Sequence, residues 1–525
     1  MNETRRAFIL AAGAAAATLS LPQGVAGAAD ETNGDRKDEA MDYLSAKELA
    51  ALLRAKQVSA VELTDRAIAR IEAYDGKLNA VVVRDFERAR AAAIEADKAL
   101  ARGEKGPLLG LPMTVKECAN VAGLPTTWGI PGTEKLPVTE DAVAVARLKS
   151  AGAIVLGKTN VPLMLADMQS YNAIYGTTNN PWDFSRTPGG SSGGAAAALA
   201  AGFVPLELGT DIGGSLRIPA AFCGIFAHKP TYGIVPQRGI APPGTPQLSI
   251  PVQVPLAVAG PMARTAGDLA LGLDVMAGPD AADALGYKLE LPPSRHTDLR
   301  DFRVLVIDQH PLLPVAANIG AALDAMAERL AKHGVTVART SPLLPDLARI
   351  GRAFVQLLAA IFVADYPDDV YARLQSKAAA LPPEADSVAA ARLRASIMSY
   401  REWVKTNRIR IGITNRWQLL FREWDVVLCP VMPTTAFAHD HSDMPTRRMS
   451  VDGTDIPYGD QIMWNGNATL AGLPSTAMPI ALSSEGLPIG MQIIGPAMED
   501  RTTIAFAELI EREYGGFVAP PAFKS

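Results

Sequence analysis

The sequence predicts an α/β fold: a mixed, largely parallel central sheet covered by helices on both faces. Two observations carry that expectation. Short apolar runs recur along the chain at Leu111–Val115, Ala153–Leu156, Val204–Leu208, Arg303–Ile307, Asp425–Cys429 and Ser475–Ile480, and read as buried strands. Between many of them lie alanine-rich segments of helical pattern and Gly/Pro turns, the alternation that stacks helices over a sheet. Composition agrees, since 48% hydrophobic and 20% charged residues in a chain of 525 supply a large core.

Taken in order, the N-terminus stands apart. Arg5 and Arg6 precede an alanine-rich apolar run ending near Leu21, and Ala26-Gly27-Ala28 has the A-x-A form of a cleavage site. Charge, apolar run and cleavage site in that order predict a twin-arginine export signal over 1–28 and a mature protein in a bacterial periplasm. The run is shorter than the roughly 20 residues a spanning helix needs, so no stable membrane association is expected. Residues 29–41 are polar and charged and read as a flexible leader to a domain over 42–525.

Ser45-Ala46-Lys47-Glu48 and Ser59-Ala60-Val61-Glu62 each have the capping-box form ahead of an apolar pattern at helical spacing, so two helices start there. A third, alanine-rich helix covers 85–102. Residues 280–300 are polar and proline-bearing and predict a surface crossing. Residues 345–424 are helical in pattern and carry Phe354, Leu357, Leu358, Phe362, Tyr371, Met398 and Trp403. Such an insertion between strands reads either as a roof over a pocket or as another core layer.

The net charge of −5 and the absence of a Lys/Arg block argue against nucleic acid or an anionic membrane as partner. Cys118, Cys223 and Cys429 form no C-x-x-C and are read as buried small apolar residues rather than a disulfide framework or metal site.

Three segments have a composition that folding alone does not favour: Leu111–Glu117, the Thr187–Gly194 stretch TPGGSSGG, and the Gly209–Pro219 stretch GTDIGGSLRIP. Gly213-Gly214-Ser215 reads either as a plain glycine turn or as backbone N–H groups converging beside a hydroxyl, the geometry of an oxyanion hole. Lys116 follows a strand-like run. It reads either as a snorkelling surface lysine or as an interior one whose pKa falls on desolvation, making it a general base. Ser191 and Ser192 lack the Gly-Lys-Ser/Thr of a phosphate loop, so a linker or an anion-binding nest remains.

Together the three segments resemble the amidase signature family, whose hallmark is a GGSSGG loop followed by GTDxGGSxRxPA. Ser191 and Ser215 lie 24 residues apart and Lys116 lies 75 before Ser191, as in that family. Further matches run through Gly224–Tyr232, Gly260–Arg264 and Gly486–Gly490, so the resemblance spans roughly residues 42–515. It implies the amidase signature fold and a serine–serine–lysine triad: Ser215 as nucleophile, Ser191 as bridging serine after a cis Gly190–Ser191 peptide, and Lys116 as base. It also implies an oxyanion hole at the backbone N–H groups of Ile212, Gly213 and Gly214. The activity implied is hydrolysis of a small-molecule amide through an acyl-enzyme, with neither metal nor cofactor, in a monomer or homodimer. Glu117 stands where many members have Asp, a departure beside the triad rather than in it. The apolar residues of 345–424 lean the expected substrate towards an uncharged aryl or aliphatic amide, with esters or carbamates as further candidates.

Three rival readings differ in their residues. Gly189–Gly193 formally satisfies the G-x-S-x-G of an α/β-hydrolase, which would make Ser191 the nucleophile and require one of His228, His296, His310, His333, His439 or His441. His439-Asp440-His441 with Asp443 reads as a metal cluster or as a solvated loop. A non-catalytic binding protein or one component of an amidotransferase is the third, and the export signal argues against the amidotransferase.

Overall fold

The computed structural model describes residues 41–245 and 253–524. The expected export signal over 1–28, and the expected leader apart from Met41, lie outside the described residues. From Asp42 onward the chain forms one compact unit.

The described residues centre on an eleven-stranded sheet, whose strands we number in chain order. They are β1 Val81–Arg84, β2 Pro112–Lys116, β3 Ile154–Thr159, β4 Leu206–Asp211, β5 Phe226–Lys229 and β6 Val258–Ala263. After these come β7 Arg303–Val306, β8 Thr336–Ala338, β9 Val426–Pro430, β10 Ser475–Leu482 and β11 Pro488–Ile494. The spatial order is β1-β3-β2-β4-β6-β5-β10-β11-β9-β7-β8. All six apolar runs became strands, within a few residues of the expected bounds.

The sheet is mixed, but parallel pairing is confined to its flanks. It joins β3, β2 and β4 on one side and β9, β7 and β8 on the other. The strands between them pair antiparallel, from β4–β6 through β11–β9. Strands β2, β3, β5, β6, β9 and β11 are buried at every position and β4 at all but one, so helices cover both faces.

Both capping boxes form. The Ser45 and Ser59 side chains each accept the N–H of the glutamate three residues on, opening helices Ala46–Arg54 and Ala60–Leu78. The alanine-rich helix spans Phe86–Ala101. Residues 280–300 carry only two 3₁₀ turns. Between β8 and β9 the described residues form four α-helices, Leu347–Phe362, Asp368–Ala379, Val388–Ala395 and Tyr400–Leu420. The first serves both as core layer and as roof. Phe354, Leu357 and Leu358 are core, whereas Ile361 and Phe362 at its C-terminal end line a cavity. Tyr371, Met398 and Trp403 are only half-buried. All three cysteines are buried and free.

Candidate active site

Two of the three chemistry-bearing segments line one cavity of about 350 Å³, through Ser191, Thr210, Asp211, Ile212 and Ser215, and the third meets them through Lys116 behind its wall. Lys116 ends β2, a strand buried on both faces, so its side chain has no route to solvent and is 0% exposed. Its Nζ donates to Ser191 Oγ at 2.7 Å and to Thr210 Oγ1 at 2.7 Å. Burial disfavours the ammonium and lowers the lysine pKa from 10.5 to about 8, although Cys118, Asp211 and Glu207 pull it back up. The interior reading of Lys116 therefore holds over the snorkelling one.

Ser191 follows a cis Gly190–Ser191 peptide and sits just ahead of the helix Gly193–Ala200. Gly190 has no room for a Cβ, which would collide with the Asp167 carbonyl oxygen. Here glycine permits one loop to pass against another. The Ser192 N–H donates to the Ser215 carbonyl at 3.2 Å, which lays the two serine loops side by side.

The Ser215 loop is held from within by a buried ion pair that sequence reasoning did not pick out. Asp211 Oδ1 accepts the Gly214 N–H at 2.9 Å, and Oδ2 accepts the Leu216 N–H at 3.2 Å. The same carboxylate takes two bonds from Arg217, each of 3.0 Å, and both side chains are fully buried. Burial pushes the Asp211 carboxyl up, but Arg217 outweighs it and leaves the pKa below its ordinary value. Arg217 also donates to the Asn465 carbonyl, Gln492 and Thr469, tying the loop to the far side of the core. The available signal was opposite charge six residues apart within an otherwise glycine-rich and apolar stretch.

The three backbone N–H groups expected to form an oxyanion hole differ in their partners. The Gly214 N–H is committed to Asp211, and its φ of +112° with Asn465 packed beneath it explains the glycine by backbone shape. The N–H groups of Ile212 and Gly213 have no acceptor among the described residues.

The cavity wall is mostly apolar, with Trp128, Met164, Leu165, Ile240, Ile361 and Phe362 among its residues. Only two of its described lining side chains are charged, and both are paired: Asp211 with Arg217, and Arg238 with Asp280 at 2.8 Å. Sequence reasoning missed the Trp128 and Met164 wall because it comes from irregular turns without periodicity.

The rival residues lie elsewhere. His228 is buried between Thr476 and Asp500, at 2.9 and 3.0 Å. His310 packs against Trp464, and none of the six histidines lines the cavity as described. His439 bonds Asn179, His441 stacks on Tyr171 with ring centroids 3.8 Å apart, and Asp440 accepts from Ser442. Among the described residues no group of three potential ligands converges on a metal position.

The family model described as Amidase matches residues 62–504. A glutamyl-tRNA(Gln) amidotransferase subunit of Roseiflexus castenholzii is 33% identical over 487 residues, covering 89% of this chain and 95% of the relative. Fatty-acid amide hydrolase 2-A of Danio rerio is 33% identical over 504 residues, covering 91% and 90%. The crystal structure of a bacterial aryl acylamidase of the amidase signature enzymes superposes with a TM-score of 0.75 at 26% identity, covering 90% of this chain and 96% of that one. With the family model matched across most of its length and a third of its residues shared with such relatives, the chain belongs to the amidase signature family.

Proposed function

We propose that this protein is an amidohydrolase that cleaves an uncharged aryl or aliphatic amide through an acyl-enzyme on Ser215. The observation that carries the reading is the buried Lys116, bonded to Ser191 Oγ with its pKa brought down to about 8. A neutral fraction of that lysine is available near neutral pH, and a neutral amine accepts a proton as the ammonium cannot. In this scheme Lys116 draws the Ser191 proton, and Ser191 draws the Ser215 proton as Ser215 Oγ attacks the amide carbon. The C–N bond breaks as the relay reverses and protonates the leaving amine. Water then releases the acid from Ser215 by the same route. The Ile212 and Gly213 N–H groups receive the tetrahedral oxyanion, and loss of one such donor costs about 3 kcal/mol in comparable sites.

The cavity wall supports this substrate class. An apolar cavity whose two charged groups are already paired offers a charged substrate no free partner among the described residues, and desolvating an unpaired ion is costly. The aryl acylamidase and the fatty-acid amide hydrolase among the relatives support the same class. The amidotransferase relatives favour a second reading, in which the site serves a larger assembly. A side-by-side screen of the purified chain against anilides, aliphatic amides, esters, carbamates and malonamate separates them. The expected result is turnover of anilides or neutral aliphatic amides by the chain alone. Preference for malonamate, or no hydrolysis without a partner, would overturn it.

A further inference from the structure

The cavity wall formed by Thr126, Trp128, Met164 and Leu165 lies outside the three signature segments, yet its backbone is unusual. Trp128, Met164 and Leu165 have φ of 54°, 53° and 58°, in the left-handed region that non-glycine residues enter only when their surroundings hold them there.

A second buried pair supplies that hold. Glu117 directly follows Lys116, and its carboxylate accepts the N–H of Thr127 at 2.5 Å and of Trp128 at 2.9 Å. Lys158, on β3, lies 3.9 Å from Glu117 and donates to the Pro125 carbonyl at 2.5 Å and to Thr126 Oγ1 at 2.9 Å. Four successive residues, 125 to 128, are thus each gripped by one of two fully buried side chains. The Trp128 carbonyl then accepts the Met164 N–H at 2.7 Å, carrying the constraint into the next turn. Fold stability alone does not call for such a pair, because apolar residues of similar volume commonly serve as well in a core.

We propose that the Glu117–Lys158 pair is the specificity-determining device of the cavity, fixing the Trp128 and Met164 wall and so setting the length of acyl group admitted. The proposal rests on reading the cavity as the substrate site. Both residues are positioning residues that act through Trp128 and touch no reacting atom.

The test is calorimetric titration of Ser215→Ala protein with N-phenyl amides graded from acetyl to decanoyl. Binding is read instead of turnover, so failure of Ser215 as nucleophile would leave this result standing, and the two readings fall separately. Glu117→Asp sets the carboxylate one methylene back from the two N–H groups. We expect it to move the decanoyl-to-acetyl affinity ratio at least fivefold towards the longer chain. Glu117→Gln keeps the shape but presents a single acceptor oxygen, and should move the ratio in the same direction by less; it carries the test alone if Glu117→Asp does not fold. Adding Glu117→Asp to Trp128→Ala should change the ratio no further. An unchanged ratio in folded variants, independent additive effects of Glu117 and Trp128, or no binding by any chain length would overturn the proposal.

Discussion

Lys116 owes its chemistry to its surroundings. A lysine whose pKa falls from 10.5 to about 8 on folding binds fewer protons in the native than in the unfolded chain between those values. Stability contributed by this group therefore rises with pH across that window, and the full penalty of about 3 kcal/mol applies below pH 8. Lys116→Met should accordingly abolish turnover, by at least 1,000-fold, without lowering the melting temperature at pH 7. In the wild type, kcat/KM should rise with pH and level off above about 8, as the base loses its proton. A profile flat from pH 6 to 9 would count against Lys116 as the base. At this scale the sequence was most legible for residues in contiguous motifs: Lys116 bonds Ser191, and Ser191 and Ser215 line one cavity. It was least legible for Thr210, which shares Lys116 Nζ with Ser191, because a threonine hydroxyl carries no distinctive pattern.

Elements differ in how openly they declare themselves. Strands that are wholly or mostly buried produced continuous apolar runs, which is why β2, β3, β4, β7, β9 and β10 were foreseen. Strands β6 and β11 were not read as apolar runs, and their segments stood out only as family matches. Pairing order is fixed by contacts remote in sequence, which hid the antiparallel centre. The loop from Asp211 to Arg217 shows the same limit, since its composition pointed to a site but not to the ion pair inside it. Arg217→Met leaves the Asp211 carboxylate buried without its cation, a loss of about 3–5 kcal/mol on the scale of such pairs. Urea denaturation should show it, and the Asp211→Asn, Arg217→Met double variant should lose less than Arg217→Met alone. Equal losses would mean that the ion pair is not what holds the loop.

The whole molecule sets a serine ahead of a helix and a serine from the next strand's loop on one apolar cavity, with a lysine from one sheet flank buried behind the first of them. The flank that joins β3, β2 and β4 in parallel makes this possible, because β2 and β4 run in the same direction and deliver Lys116 and Thr210 to the same end of the sheet. Helices between β8 and β9 close part of the cavity wall through Ile361 and Phe362. The cavity's apolar character was anticipated only from the composition of 345–424, and the wall around Trp128 and Met164 came from turns that no sequence pattern marks. The central claim is the direction of the relay, from Lys116 through Ser191 to Ser215. Its most direct test is mass spectrometry of peptides from enzyme trapped with an acylating substrate, with Ser215→Ala and Ser191→Ala proteins alongside. The acyl group is expected on Ser215, with none in Ser215→Ala; an adduct on Ser191 would contradict this order of transfer.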